Sequence, residues 1–192
     1  SSFTTGRRGV AGTLVVEKVV GAAAESGLDL EECLMLGNKV NSHTRSMGVA
    51  LSSCTVPAVG KPTFELAKKE MEMGVGIHGE PGRKRVEFNR ADNIANDLIF
   101  AILEDLKIEK GSEVLLFING FGGTPAMELY LMYNSAAKTL TAQGIKIKRS
   151  LVGNYVTSLE MSGCSITITV LDEEIMNYWD APVLTSALRW KC

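Results

Sequence analysis

The residue types best suited to chemistry converge on one short stretch, Gly74-Val75-Gly76-Ile77-His78-Gly79-Glu80-Pro81-Gly82. An imidazole can serve as acid, base, ligand or nucleophile because its unperturbed pKa lies near neutrality. His78 is one of two histidines in the chain, and it is the one set among glycines. Glycine and proline at this density exclude a helix and would break a central strand. The stretch therefore reads as a short strand running into a tight polar loop. Glycines on both sides of a side chain let backbone or ligand come close to it. The same composition also suits an ordinary turn whose histidine is merely exposed.

Other candidates are weaker. Gly120-Phe121-Gly122-Gly123-Thr124-Pro125 lies between an apolar run and a helical pattern, where backbone N–H groups could hold an anion. It lacks the Gly-Lys-Ser/Thr of a phosphate-binding loop and does not fit G-x-G-x-x-G, so a structural turn is the better reading. Gly6-Arg7-Arg8-Gly9 could meet phosphate but reads as solvated. Cys54 has no candidate base near it in sequence, and His43 reads as a solvated or helix-capping residue.

Composition bounds the rest. A chain of 192 residues buries a real core. Its net charge of −2 gives no support to nucleic-acid binding. No apolar run is long enough to span a bilayer. The four cysteines, Cys33, Cys54, Cys164 and Cys192, form no C-x-x-C pair, and with two histidines a zinc site is not expected. Free thiols in a reducing cytoplasm are the simplest account.

The elements that must position the histidine loop follow from periodicity. Val10 to Ser26 and Asp29 to about Val40 read as a helical hairpin, with Gly27 at a C-cap position and Asp29/Glu32 as a capping box. Such a hairpin needs a sheet to lie on. Strands are expected at Ser46–Ser52, Met71–Ile77, Lys84–Phe88, Glu113–Asn119, Ile145–Val152 and Cys164–Leu171. Helices are expected from Asn89 to about Lys110, from Pro125 to about Gln143 with Thr124 as N-cap, and after Asp172. The tail from Asp180 to Cys192 reads as having little regular structure. Strands that first run together and then alternate with helices imply an α/β fold with a mixed β-sheet and helices mainly on one face, a two-layer arrangement.

Six blocks, taken together, carry a family resemblance. They are Gly6-Arg7-Arg8-Gly9-Val10-Ala11-Gly12-Thr13, Ala50 to Pro57, Gly60-Lys61-Pro62-Thr63-Phe64, Gly74 to Gly82, Gly120 to Pro125 and Asp180-Ala181-Pro182. In this order, over nearly the whole chain, they resemble the substrate-binding K subunit of dihydroxyacetone kinase. The resemblance implies that His78 is both catalytic and substrate-binding: a ring nitrogen adds to the C2 carbonyl of dihydroxyacetone and forms a covalent hemiaminal. Glycerol, which has no carbonyl, is thereby excluded.

The resemblance also implies what is elsewhere. In the family a glycine-rich substrate segment, a second histidine and the aspartate taken as general base lie in an upstream domain. No counterparts occur here. The chain accordingly resembles the C-terminal half of a K subunit: residues 1–44 as a helical hairpin from the missing first domain, and 45–192 as the C-terminal α/β domain with its tail. On this reading the fragment alone is inactive, binds no cofactor or metal, and works in the cytoplasm. A nucleotide-binding L subunit carries ADP or ATP with Mg, and the K subunit forms a homodimer. The tail from Asp180 to Trp190 resembles the end of a free-standing K subunit, which favours the phosphotransferase-system-dependent form. The competing class is a dihydroxyacetone-sensing paralogue that acts on a transcription factor without kinase activity. A purely structural domain survives only if His78 is inert.

Overall fold

The computed structural model describes residues 11–77 and 82–191. The helices are α1 (Gly12–Glu25), α2 (Leu30–Ser42), α3 (Ala91–Leu106), α4 (Ala126–Ala142) and α5 (Glu173–Asp180). The strands are β1 (Thr44–Ala50), β2 (Glu70–Met73), β3 (Lys84–Glu87), β4 (Glu113–Gly120), β5 (Lys146–Gly153), β6 (Gly163–Val170), β7 (Val183–Leu184) and β8 (Arg189–Trp190). Six strands form one sheet in the order β3-β2-β1-β6-β4-β5. Among the strands of the described residues only β4 and β5 pair in parallel, so the expected mixed sheet is observed.

Strand β4 shows why the sheet is covered on both sides. Val114, Leu116 and Ile118 enter one core, while Leu115 and Phe117 enter another. Side chains alternate across a strand, so a continuous apolar run must be buried on both faces. The first face carries α3 and α4, packed through Ile94, Leu98, Ile102, Leu129, Ala136 and Leu140 onto Ile166 and Ile168. These two long helices are the expected helical layer of the sheet domain. The other face receives the hairpin and α5, through Val15, Val19, Val40, Ile175 and Trp179. The hairpin does have a sheet to lie on, and residues 11–44 share a core with the strands.

Local signals account for most boundaries. Asp29 accepts from the Glu32 N–H at 2.9 Å and the Glu32 carboxylate accepts from the Asp29 N–H at 2.8 Å, completing the capping box. His43 terminates α2, its Nδ1 lying 2.8 Å from the Lys39 carbonyl oxygen, as a capping histidine should. Helix α3 begins later and ends earlier than expected: Asn89 turns its carboxamide onto the Arg90 N–H, and Lys107 stops the helix in the left-handed region. The expected N-cap at Thr124 is not formed. Pro125 occupies that position, and the Thr124 hydroxyl bonds the backbone of Gly163 instead. The tail is more ordered than expected, because β7 and β8 pair and Trp190 stacks edge-on against Trp179.

Between the hairpin and the sheet the second face is polar along two central strands. Thr44 and Thr169 join hydroxyls at 2.9 Å, and Ser46 and Thr167 at 2.6 Å. The next rung pairs Gly48 with Ser165. Glycine offers no hydroxyl, and the buried Ser165 Oγ has no partner.

Candidate functional site

His78, with Gly79, Glu80 and Pro81, lies outside the described residues. Both stems of its loop are described. After β2 the chain turns at Gly74, whose N–H donates to the Gly48 carbonyl at 2.7 Å. On the return the Arg83 N–H donates to the Met73 carbonyl at 2.6 Å, opening the β2–β3 ladder. The loop is thus a hairpin connection pinned beside the middle of β1.

The incoming stem is held by packing. Val75 is buried and Ile77 is partly buried against Ala50, Cys54, Phe64, Phe121 and Met161. Ile77 immediately precedes the histidine in sequence, so this apolar plug anchors the incoming stem. Gly48 makes this approach possible: a Cβ there would stand 2.8 Å from both the Val75 carbonyl oxygen and the Phe121 ring. Two surrounding loops, the one after β1 and the one between β5 and β6, are tied to each other. The Thr55 N–H donates to the Glu160 carboxylate at 2.7 Å, and the Ser162 N–H to the Ser52 hydroxyl at 2.9 Å. Hydrogen bonding from Thr55 holds the Glu160 carboxyl below the usual carboxylate range.

The glycine-rich loop after β4 is not an anion cradle. Its amides are spent inside the protein: Phe121 N–H on Gly163 O at 3.2 Å, Gly123 N–H on Met161 O at 3.0 Å, Gly122 N–H on Asn154 Oδ1 at 3.2 Å. Gly122 has φ +117°, and a Cβ would stand 2.0 Å from the Leu159 carbonyl oxygen. The structural reading of this loop holds, and Phe121 is its contribution to the plug beneath Ile77.

Cys54 is buried in that plug and Cys164 in the main core, where burial pushes its thiol up to about 12. Neither is placed to act as a nucleophile. Gly6 to Gly9 lie outside the described residues. Sequence reasoning missed Asn119. Its buried carboxamide accepts from the Tyr155 and Val156 N–H groups at 3.1 and 2.9 Å and donates to Val156 O at 2.8 Å. An asparagine in an otherwise apolar strand was the available signal.

A groove of about 1620 Å³ runs along the free part of β1. Strand β2 pairs only with Val49 and Ala50, so Thr44 to Gly48 have no strand on that side. The groove is walled by α1 and α2, and Gly74, Val75, Gly82 and Arg83 close one end. Both stems of the histidine loop therefore face an open, partly polar space large enough for a small molecule and additional polypeptide.

A family model described as the Dak1 domain matches residues 1–187. The chain belongs to the Dak1 family. It is 42% identical over 214 residues to the dihydroxyacetone-binding subunit DhaK of the PEP-dependent dihydroxyacetone kinase of Escherichia coli, covering 99% of this chain and 60% of that protein. It is 49% identical over 174 residues to the DhaK subunit of PTS-dependent dihydroxyacetone kinase 1 of Listeria innocua, covering 91% of this chain and 53% of the relative. Among solved structures, a dihydroxyacetone kinase operon co-activator, Dha-DhaQ, superposes with a TM-score of 0.87 at 33% identity, over 94% of this chain and 56% of that one. The Dak1 chain described here thus spans between half and two thirds of the length of these relatives.

Proposed function

We propose that this chain is the part of a dihydroxyacetone-binding kinase subunit that holds the substrate covalently, through His78. The observation that carries the reading is the Gly-Ile-His-Gly-Glu-Pro stretch within a chain 42% and 49% identical to two such subunits. The anchoring of both loop stems supports it, because a nucleophile must be held at a fixed distance and angle.

The chemistry is balanced addition. The unprotonated ring nitrogen of His78 attacks the C2 carbonyl carbon, and the carbonyl π pair moves to oxygen. The alkoxide takes a proton, and the imidazolium loses its N–H proton. The product is a hemiaminal with no loss of water. The tethered triose then presents a hydroxyl for phosphoryl transfer to give dihydroxyacetone phosphate. The phosphoryl donor belongs to a nucleotide-bearing L partner, which in the phosphotransferase-dependent form is recharged by a phosphotransferase-system protein. The general base and remaining substrate contacts are assigned to the first half of a full-length subunit, so this chain alone turns nothing over.

The experiment is native intact-mass measurement with dihydroxyacetone and with glycerol, on this chain and on His78→Ala. The expected result is an adduct of one whole triose, absent with glycerol and lost in the variant. An adduct lighter by one water would indicate a lysine Schiff base and overturn the assignment. A second reading is favoured by the co-activator superposition: a sensor of dihydroxyacetone that keeps His78 and lacks kinase activity. Both readings expect the adduct. Phosphorylation of dihydroxyacetone by the full-length subunit, given a nucleotide-bearing partner and donor, would separate them.

A further inference from the structure

The two stems of the histidine loop meet at a pair of glycines whose missing side chains leave room for something else. Gly74 has φ +76°, and a Cβ there would stand 2.6 and 2.8 Å from Cγ and Cδ of Arg83. The aliphatic part of Arg83 therefore lies across Gly74, which leaves this long side chain less freedom to lose on meeting a ligand. A Cβ on Gly82 would stand 2.4 Å from the Met73 carbonyl oxygen and 3.0 Å from the Val75 nitrogen. Val75 is buried, and among the described residues its N–H donates to no acceptor. Buried backbone N–H groups are almost always paired, so an orphan left uncovered by a glycine points to a ligand.

Charge says which kind. Two arginines and two acids line the groove beside β1. Arg45 is paired with Asp105, and Glu17 stands on the α1 wall. Glu72, at the base of the loop, accepts from Arg85 at 3.0 Å. Among the described residues the exposed Arg83 guanidinium has no hydrogen-bond or ion-pair partner. An uncommitted cation and an uncommitted N–H thus share the end of the groove that Gly74, Val75, Gly82 and Arg83 close.

We propose that Arg83 and the Val75 N–H form the site for the phosphate group of a triose phosphate. This rests on the proposed phosphoryl transfer to dihydroxyacetone and names the residues that receive the transferred group. A phosphate monoester near neutral pH is an anion with three strong acceptor oxygens. The planar guanidinium gives parallel N–H donors to two of them, and the Val75 N–H serves the third. The uncharged hydroxyl of dihydroxyacetone gains far less from the same donors, so the site favours the phosphorylated end. Arg83 is on this account a catalytic residue, since the charge it meets spreads over those oxygens as the phosphoryl group arrives.

The test has two readouts on this chain. The first is native intact-mass titration with dihydroxyacetone and with dihydroxyacetone phosphate, on wild type, Arg83→Gln and Arg83→Lys. Adduct formation by the phosphate should weaken roughly tenfold more than that by dihydroxyacetone in Arg83→Gln, and part of the difference should return in Arg83→Lys. Equal weakening of both would reduce Arg83 to a support of the loop stem and overturn the proposal, as would no weakening of either. The second readout needs no carbonyl and so does not depend on His78. Inorganic phosphate titrated into labelled wild-type protein should move the Val75 amide resonance, and in Arg83→Gln the shift should need roughly tenfold more phosphate. A Val75 amide that stays unmoved in wild type would overturn the site even if both adducts form. Absence of both adducts with a moving Val75 amide would overturn the covalent reading of His78 and leave the phosphate site standing.

Discussion

The two faces of the central sheet are built on different principles. Under α3 and α4 the strands present Leu116, Ile118, Ile166 and Ile168, and no hydroxyl is needed to satisfy anything. On the opposite face the same β6 presents Ser165, Thr167 and Thr169, paired with hydroxyls of β1 as far as the ladder allows. Apolar packing rewards volume and shape, whereas a hydroxyl ladder rewards register. The first face is a finished core. The second borders the groove and the stems of the histidine loop, and there the exposed Leu30, Leu34 and Met35 of α2 mark a boundary that a longer protein could cover.

The sharpest way to break this comparison is to remove volume from the apolar face. Ile166 is fully buried at the centre of the sheet, between α3 and α4 and the neighbouring strands. Ile166→Ala should cost about 3 kcal/mol, the lost transfer energy plus the cavity left behind. Urea denaturation measures it directly. A loss below about 1 kcal/mol would mean that this face is less tightly packed than its burial indicates.

A smaller effect is expected at Gly48, where both faces and the loop meet. An added methyl would press on the Val75 carbonyl and the Phe121 ring, both 2.8 Å away, so backbone must shift. Gly48→Ala should cost about 1–3 kcal/mol. It should also weaken adduct formation more than the stability loss explains, because Val75 leads directly into Ile77 and His78. If native mass spectrometry showed full adduct in a measurably destabilised Gly48→Ala protein, the packing of this stem would not be what aims the loop.

Much of this architecture was legible in the sequence, and the failures have a common cause. All six strands of the sheet, the capping box and the hairpin follow from period, caps and turn residues, which are local. The role of Thr124 was misassigned because its hydroxyl is taken by Gly163, which is distant in sequence and brought alongside by the antiparallel pairing of β4 and β6. The hydroxyl ladder was equally hidden. Alternation marks Ser165, Thr167 and Thr169 as one face of a strand but says nothing about which residues of β1 stand opposite. Gly48 looked like an unremarkable strand residue until Val75 and Phe121 were seen to cross it. His78 itself was singled out by chemistry and resemblance and lies outside the described residues; what the fold adds is the anchoring of the flanking stems at Gly74, Val75 and Arg83.

The subtlest comparison lies within the ladder. Thr169 and Ser165 sit four residues apart on β6, both fully buried and both facing the hairpin side. Thr169 shares a hydrogen bond with the buried Thr44. Thr169→Val keeps the shape but strands the Thr44 hydroxyl away from water, and should cost about 1–2 kcal/mol. Ser165 faces a glycine and already carries an unpaired hydroxyl. Ser165→Ala removes a buried polar group that gains nothing from its surroundings, so stability should stay within about 0.5 kcal/mol of wild type or rise. Opposite signs for two hydroxyl deletions on one strand would show that pairing, and not polarity alone, is what this face rewards. Equal losses would instead mean that Ser165 has a partner, such as a bound water, and that the third rung of the ladder is occupied as well.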